Sequence, residues 1–216
     1  RQIALHRERE AGVDTGQFHP DEQARASVRA ELGIPSDAPL VGLVARFDPQ
    51  KGHDIFVKAA ARVAASRPAT NFLLCGVDIH WDNRLLSSWI ETAGLRNRFH
   101  LLGEREDMPR LTAALDVAAL SSTSEAGPMV VLEAMACGVP CACTDVGDIA
   151  NIIGDAGRIV PVRNPQALGD AILSLLSAGR EQRARMASAA RLQLQGKYLL
   201  GDVARRYEAL YAELVC

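Results

Sequence analysis

Residues 39–66 read PLVGLVARFDPQKGHDIFVKAAARVAAS, and the fold class follows from this stretch. Residues 40–45 (LVGLVA) form an apolar run short enough for a strand buried on both faces. The run ends in Arg46, and polar residues follow. From Gly52 to Ser66 the apolar positions Ile55, Ala59 and Val63 then recur at helical spacing. A strand passing directly into an amphipathic helix is half of a βαβ unit.

The same alternation continues along the chain. Further short apolar runs occupy residues 71–75 (NFLLC), 99–102 (FHLL), 116–120 (DVAAL), 141–144 (CACT) and 157–160 (GRIV). Between them, residues 83–93, 107–114, 128–136 and 149–153 have helical character, as in the set Leu85, Trp89 and Ala93. Strand–helix alternation predicts an α/β fold, a Rossmann-like doubly wound parallel sheet of about six strands with helices on both faces. A leading helix is expected over residues 21–32, stopped by Gly33 and Pro35. Residues 165–215 are nearly all helical in pattern, punctuated at Gly179, Gly196 and Gly201. The predicted organisation is a lead-in segment 1–20, a Rossmann-like domain 21–178 and C-terminal helices 179–216.

Composition narrows the function classes. The 216 residues are 48% hydrophobic and 23% charged, enough for a sizeable core, which excludes collagen-like, disordered and disulfide-scaffold chains. The 24 basic and 26 acidic residues give a net charge of −2, without the basic excess of a duplex-binding protein, so no nucleic-acid partner is expected. No apolar run approaches the roughly 18 residues of a membrane span, and the opening RQIALHRERE has no signal-peptide core. Five cysteines, an odd number in a chain this long, argue for reduced thiols and a cytoplasmic location. Cys141 and Cys143 alternate along a predicted strand and are expected on opposite faces of the sheet. With no histidine near them or Cys137 in sequence, they read as small core residues rather than metal ligands.

In an open parallel sheet, ligands bind beyond the carboxyl ends of the strands. Polar residues and glycines gather there: Arg46 and Lys51 after the first strand, Gly103, Glu104 and Arg105 after the third, residues 121–127 (SSTSEAG) after the fourth. Such a rim is common to α/β proteins and does not by itself name a ligand. The fourth connection is sharper. Pro128 suits a first helical position, and the amides of Met129 and Val130 are then expected to point outward unpartnered, a ready anion site. Arg46 and Lys51 reach the same rim, and two cations with a helix N-terminus suit a diphosphate. Glu133 lies about one and a half turns into the helix, placed to accept paired hydrogen bonds from vicinal hydroxyls such as those of a ribose. Glu125 precedes the helix, closer to whatever the diphosphate carries.

Glu125 and Glu133 have E-x7-E spacing, residues 132–148 read LEAMACGVPCACTDVGD, residues 41–59 read VGLVARFDPQKGHDIFVKA and residues 12–21 read GVDTGQFHPD. In these motifs, found in this order, the chain resembles the retaining glycosyltransferases of family 4, the group 1 glycosyltransferases, from Gly12 to its end. The resemblance implies the C-terminal, donor-binding half of a GT-B fold. It implies a UDP-sugar or GDP-sugar donor, transfer to an acceptor hydroxyl with retention, and no metal or other cofactor. Arg46 and Lys51 match the pair that binds the donor diphosphate, and Met129 and Val130, after Gly127 and Pro128, match positions whose amides meet phosphate. Glu133 matches the ribose-binding glutamate. Glu125 matches the catalytic glutamate near the transferred sugar, placed to stabilise oxocarbenium charge or orient sugar hydroxyls. Arg105 falls in the loop that touches the base.

Three departures stand out. Ala126 and Gly127 replace the family's Gly-Phe, which bears on the sugar pocket. Asp148 replaces the second glycine of a pair, and HREREA precedes Gly12 where an apolar strand is usual. A complete member also carries an N-terminal domain with the acceptor site, for which this chain has no room. The expectation is therefore half an enzyme, a fragment or a separate subunit, that binds donor, does not transfer alone and is prone to self-association. An acceptor glycan or lipid-linked acceptor would meet the other half, the latter with peripheral membrane association.

Other readings remain open. The late basic residues Arg180, Arg183, Arg185, Arg191, Lys197, Arg205 and Arg206 read as a solvated helical face in preference to a lipid surface. His53 reads as a helix-start residue rather than a base. A nucleotide-sugar epimerase of the same fold and a non-catalytic donor-binding subunit share the same rim. A dehydrogenase is disfavoured, because residues 45–52 lack G-x-G-x-x-G.

Overall fold

The computed structural model describes residues 11–215. The HREREA stretch up to Glu10, and Cys216, lie outside the described residues. In chain order come α1 (Glu22–Glu31), β1 (Leu40–Val44), α2 (His53–Ser66), β2 (Asn71–Cys75) and α3 (Arg84–Thr92). Next are β3 (Phe99–Leu101), α4 (Met108–Ala113), β4 (Val117–Leu120), α5 (Met129–Ala136) and β5 (Cys141–Thr144). Then follow α6 (Ile149–Ile153), β6 (Gly157–Val160), α7 (Pro165–Leu176), α8 (Arg180–Leu194) and α9 (Leu200–Val215). The six strands form one parallel sheet in the order β3-β2-β1-β4-β5-β6. Three strands lie to each side of the β1–β4 junction, as doubly wound topology requires.

Strand side chains alternate between two buried layers. Leu40, Leu73, Leu120, Cys141 and Cys143 face α1, α4, α5, α6 and α8 through Val28, Leu111, Leu132, Ile149 and Leu194. Val41, Leu43, Phe72, Leu74, Val117 and Ala142 face α2, α3 and α7 through Phe56, Ile90 and Ile172. Cys141 and Cys143 thus share one face and do not take opposite ones. Residues two apart on a strand point the same way, and it is Ala142 between them that turns to the other layer.

A buried ionic knot holds α1 to the opposite end of the sheet from the rim. Asp116 accepts from Arg25 at 2.7 Å, from Arg29 at 2.7 Å and from the Leu40 amide at 2.8 Å. Arg29 is buried, and burial lowers its pKa against the opposing pull of Asp116. The predicted strands at 40–45, 99–102 and 116–120 each prove one residue shorter, although ladder-like bonds run on through Ala45, Leu102 and Asp116.

Toward the C-terminus, Gly179 and Gly196 flank α8, but Gly201 does not break the chain. It sits in the first turn of α9, where an added Cβ would meet only Arg205 Nη1 at 3.8 Å. The loss is the ordinary cost of a helical glycine, about 1 kcal/mol. Val13 forms a parallel bridge with Leu199, donating to Tyr198 O at 2.8 Å and accepting from Leu200 N at 3.0 Å. Tyr207 and Tyr211 of α9 are exposed. Of the late basic residues, Arg185 pairs with Glu181 and Arg205 with Asp202.

Candidate active site

β1 and β4 are neighbours, but the chain leaves them for helices on opposite layers, so their two following loops part and open a crevice. These loops carry the residues singled out from sequence. They are also tied together. Thr123 N donates to Gln50 O at 2.7 Å, and Ser121 Oγ donates to Lys51 O at 2.7 Å. Gly52 has φ +64°, and a Cβ there would lie 2.3 Å from Ser121 O. Only glycine combines that left-handed backbone with so close an approach.

Lys51 Nζ reaches across the junction to Glu125 Oε1 at 2.7 Å, with side-chain exposures of 21% and 10%. The same oxygen accepts from Ser122 Oγ at 2.6 Å. Thr144, buried at the end of β5, donates to Ser122 O at 2.6 Å. Gly147 (φ +55°) presses on the same loop from the β5–α6 connection, where a Cβ would come within 2.6 Å of Glu125 O. Ser122, Thr144 and the Ser121–Gly52 contact were not singled out from sequence. Hydroxyl residues signal nothing by spacing, and the partners of Ser121 and Thr144 are distant in the chain, while that of Ser122 is only three residues away.

Glu133 lies in the second turn of α5, beside Val44, Ala119, Val130 and Cys143. It has no ion-pair partner among the described residues, and burial raises its carboxyl above the usual range. A carboxylate held in such surroundings is costly until donors arrive. The helix start departs from expectation. Pro128 is the N-cap residue, not the first helical one. The Met129 amide is not free, because it donates to Gly127 O at 3.0 Å, while Val131 N turns back to Pro128 O at 2.9 Å. The Val130 amide has no backbone partner among the described residues. Of the two amides expected to serve an anion, one therefore remains. Nothing crowds Gly127, whose added Cβ would meet only Ala11 at 3.8 Å.

Arg46 is on the β1 loop with its side chain 62% exposed, held at 3.2 Å by Asp48. Among the described residues it makes no hydrogen bond or ion pair with Lys51 or Glu125, and its exposure puts it on the solvent side, at the mouth, of the crevice. Arg105 is fully engaged elsewhere. Its Nε and Nη2 grip Asp107 at 2.8 and 2.9 Å, and its Nη1 holds Glu31 at 2.9 Å. With Arg110 in the same network, Asp107 is drawn down to about 2. The guanidinium thus braces α1 against the loop after β3. His53 is the first residue of α2, as read from sequence, and is also buried against Phe47 at 5.3 Å. Burial lowers its pKa to about 4, which keeps the ring neutral. Burial likewise pushes Cys75 up to about 11 and Cys137 up to about 12, and Cys143 further up. These are thiols rather than thiolate ligands. Among the described residues, no group of three or more His, Cys, Asp or Glu could hold a metal, and no helix is long and apolar enough to cross a membrane.

Residues 24–193 match the family model described as glycosyl transferases group 1. The chain belongs to this family. Within the group 1 glycosyltransferases, it is 32% identical over 213 residues to a D-inositol 3-phosphate glycosyltransferase of Corynebacterium urealyticum. That alignment covers 94% of this chain and 50% of the relative, so the chain spans about half the length of that relative. Among solved structures, HepE of Anabaena in complex with UDP and glucose superposes with a TM-score of 0.82 at 26% identity, over 93% of this chain and 55% of that one. The C-terminal domain of the group 1 protein LpcC from Francisella tularensis matches over its whole length and 88% of this chain, with a TM-score of 0.75 and 26% identity. The group 1 chain described here therefore has the architecture of one half of a GT-B glycosyltransferase.

Proposed function

We propose that this chain binds a nucleoside diphosphate sugar and forms the donor side of a retaining glycosyltransferase. The observation that carries the reading is the Lys51–Glu125 pair at the β1–β4 junction, with Glu133 on the adjoining helix half-buried and without a cationic partner among the described residues. Lys51, the Val130 amide and Arg46 swinging in from the mouth supply positive potential for a diphosphate, in place of a metal. Glu133 accepts the two ribose hydroxyls, which would satisfy its buried carboxylate. Glu125 faces the sugar, where it stabilises positive charge as the bond from the anomeric carbon to the diphosphate oxygen breaks. That carbon then bonds to the acceptor oxygen, whose proton leaves with the departing diphosphate. The UDP and glucose held by HepE are ligands of the kind this reading requires.

Transfer also needs the acceptor positioned against the anomeric carbon, which contributes much of the barrier reduction, and closure that excludes water. One wall of a crevice provides neither. The chain alone is therefore expected to bind donor without transferring sugar, the acceptor being held by a second domain or subunit. Titration calorimetry with UDP, GDP, their sugars and the bare nucleosides tests the donor site. Lys51→Ala should weaken the diphosphate by about 1.5–3 kcal/mol, the value of a charge-assisted contact, and spare the nucleoside, whereas Glu133→Ala should weaken both. Equal losses of nucleoside and diphosphate in Lys51→Ala would overturn the assignment. Robust transfer by this chain alone from radiolabelled donors to an acceptor extract would overturn the half-site reading.

A further inference from the structure

We propose that Ser122, backed by Thr144, is a positioning residue that fixes which oxygen of Glu125 faces the donor. The proposal rests on the donor-site reading above. Both protein donors to Glu125 converge on one atom. Lys51 Nζ and Ser122 Oγ reach Oε1 at 2.7 and 2.6 Å, and no side chain among the described residues takes Oε2. The carboxylate is thus held by one edge and presents the other to the crevice. The two restraints differ in permanence. A diphosphate in the crevice competes for Lys51, a compact charge on a flexible stem. Ser122 has no such competitor, being 1% exposed with its hydroxyl on Oε1.

Its own place is set from behind. Thr144 Oγ1, on a fully buried side chain of β5, donates to the Ser122 carbonyl, so the rigid sheet fixes the loop that fixes the carboxylate. A site residue must be held by its neighbours to within a fraction of an ångström to be effective. Once Lys51 turns to phosphate, the hydroxyl of Ser122 is the remaining restraint on Oε1. Removing it frees the carboxylate to rotate, and the loss falls on the sugar rather than on the nucleotide.

The test is the affinity of the chain for UDP-glucose, UDP-N-acetylglucosamine and GDP-mannose, each relative to its own nucleoside diphosphate, by calorimetry. Ser122→Ala is expected to cut the preference for the sugar nucleotide about tenfold, as one hydrogen bond to a charged group would, with the diphosphate affinity unchanged. Ser122→Thr, which keeps the hydroxyl, should restore it. In a Glu125→Ala background, Ser122→Ala should change nothing further. Thr144→Val should reproduce the loss in weaker form, and it serves as the second route should Ser122→Ala fold poorly. A parallel fall in sugar nucleotide and diphosphate affinity would overturn the proposal, as would a loss that persists without Glu125. If the unsubstituted chain binds no nucleotide, the donor reading itself fails. If it prefers a sugar nucleotide and Ser122→Ala keeps that preference, only the role of Ser122 fails.

Discussion

Replacing Glu125 by glutamine separates the charge at the centre of the site from its shape. Lys51 Nζ lies 2.7 Å from Glu125 Oε1, and both side chains are largely withdrawn from solvent. A phosphate that engages Lys51 must share it with the carboxylate or take it away, and must also approach a second negative charge. Two unit charges about 6 Å apart repel by about 3 kcal/mol at an effective dielectric of about 20. Screening over a Debye length of about 8 Å at physiological salt reduces this, leaving a penalty on the order of 1–2 kcal/mol. Glutamine removes the penalty and keeps an acceptor for Ser122. Glu125→Gln is therefore expected to bind UDP about 5- to 30-fold more tightly, since 1.4 kcal/mol is a factor of ten. Calorimetry near 0.15 M salt reads the effect, the gain should shrink at high salt, and uridine should bind unchanged. The same substitution should abolish transfer in the complete enzyme, so binding and transfer move in opposite directions. UDP affinity that is unchanged or weaker in a well-folded Glu125→Gln chain refutes competition between the carboxylate and the diphosphate for Lys51.

Other expectations concern stability. Burial raises the Glu133 carboxyl, so the folded chain retains a proton there that the unfolded chain has released, and stability falls as pH rises past the ordinary glutamate range. Glu133→Gln should accordingly raise the urea midpoint at pH 7, and the difference should vanish below about pH 4; a lower midpoint at pH 7 would contradict this. Gly52→Ala forces a left-handed residue, costing about 1–2 kcal/mol, and drives a methyl into Ser121 O. It should lower the melting temperature and loosen UDP binding together. Asp116→Ala leaves Arg29 buried without its carboxylate, a loss of about 3–5 kcal/mol for a broken buried pair. It should be visible as a reduced urea midpoint with UDP affinity intact in the folded fraction.

What the sequence discloses here tracks how local the physics is. The central strands β2, β1, β4 and β5 are short runs of mostly apolar residues, and the edge strands β3 and β6 keep enough of that pattern around His100 and Arg158 for all six to be readable. Errors are confined to single end residues such as Ala45 and Asp116. Gly201 misled because the first turn of α9 absorbs the ordinary cost of a helical glycine without breaking. Pro128 misled because the loop closes through the Met129 amide onto Gly127 O, a local turn that the dipeptide does not announce. Glu125, Lys51 and Glu133 were each conspicuous, but the 2.7 Å bond joining the first two links loops 74 residues apart. The capture of Arg105 by Glu31 depends on α1 lying against the loop after β3, which no periodicity encodes. The knot at Asp116 is hidden for the same reason. Three ordinary charged residues acquire meaning only when the end of the sheet places them together.

The clasp between Val13 and the residues on either side of Leu199 has a mechanical consequence. Its two hydrogen bonds join the first described segment to the turn between α8 and α9, so the chain enters the unit and leaves α8 at a common point. Tension applied between residues 11 and 215 would load this contact and the packing of Val203 on Gly12 before reaching the sheet. In a force-extension experiment, α9 should peel away as a small early event. The parallel strands, whose slanted bonds lie deep inside the unit, should yield later and together.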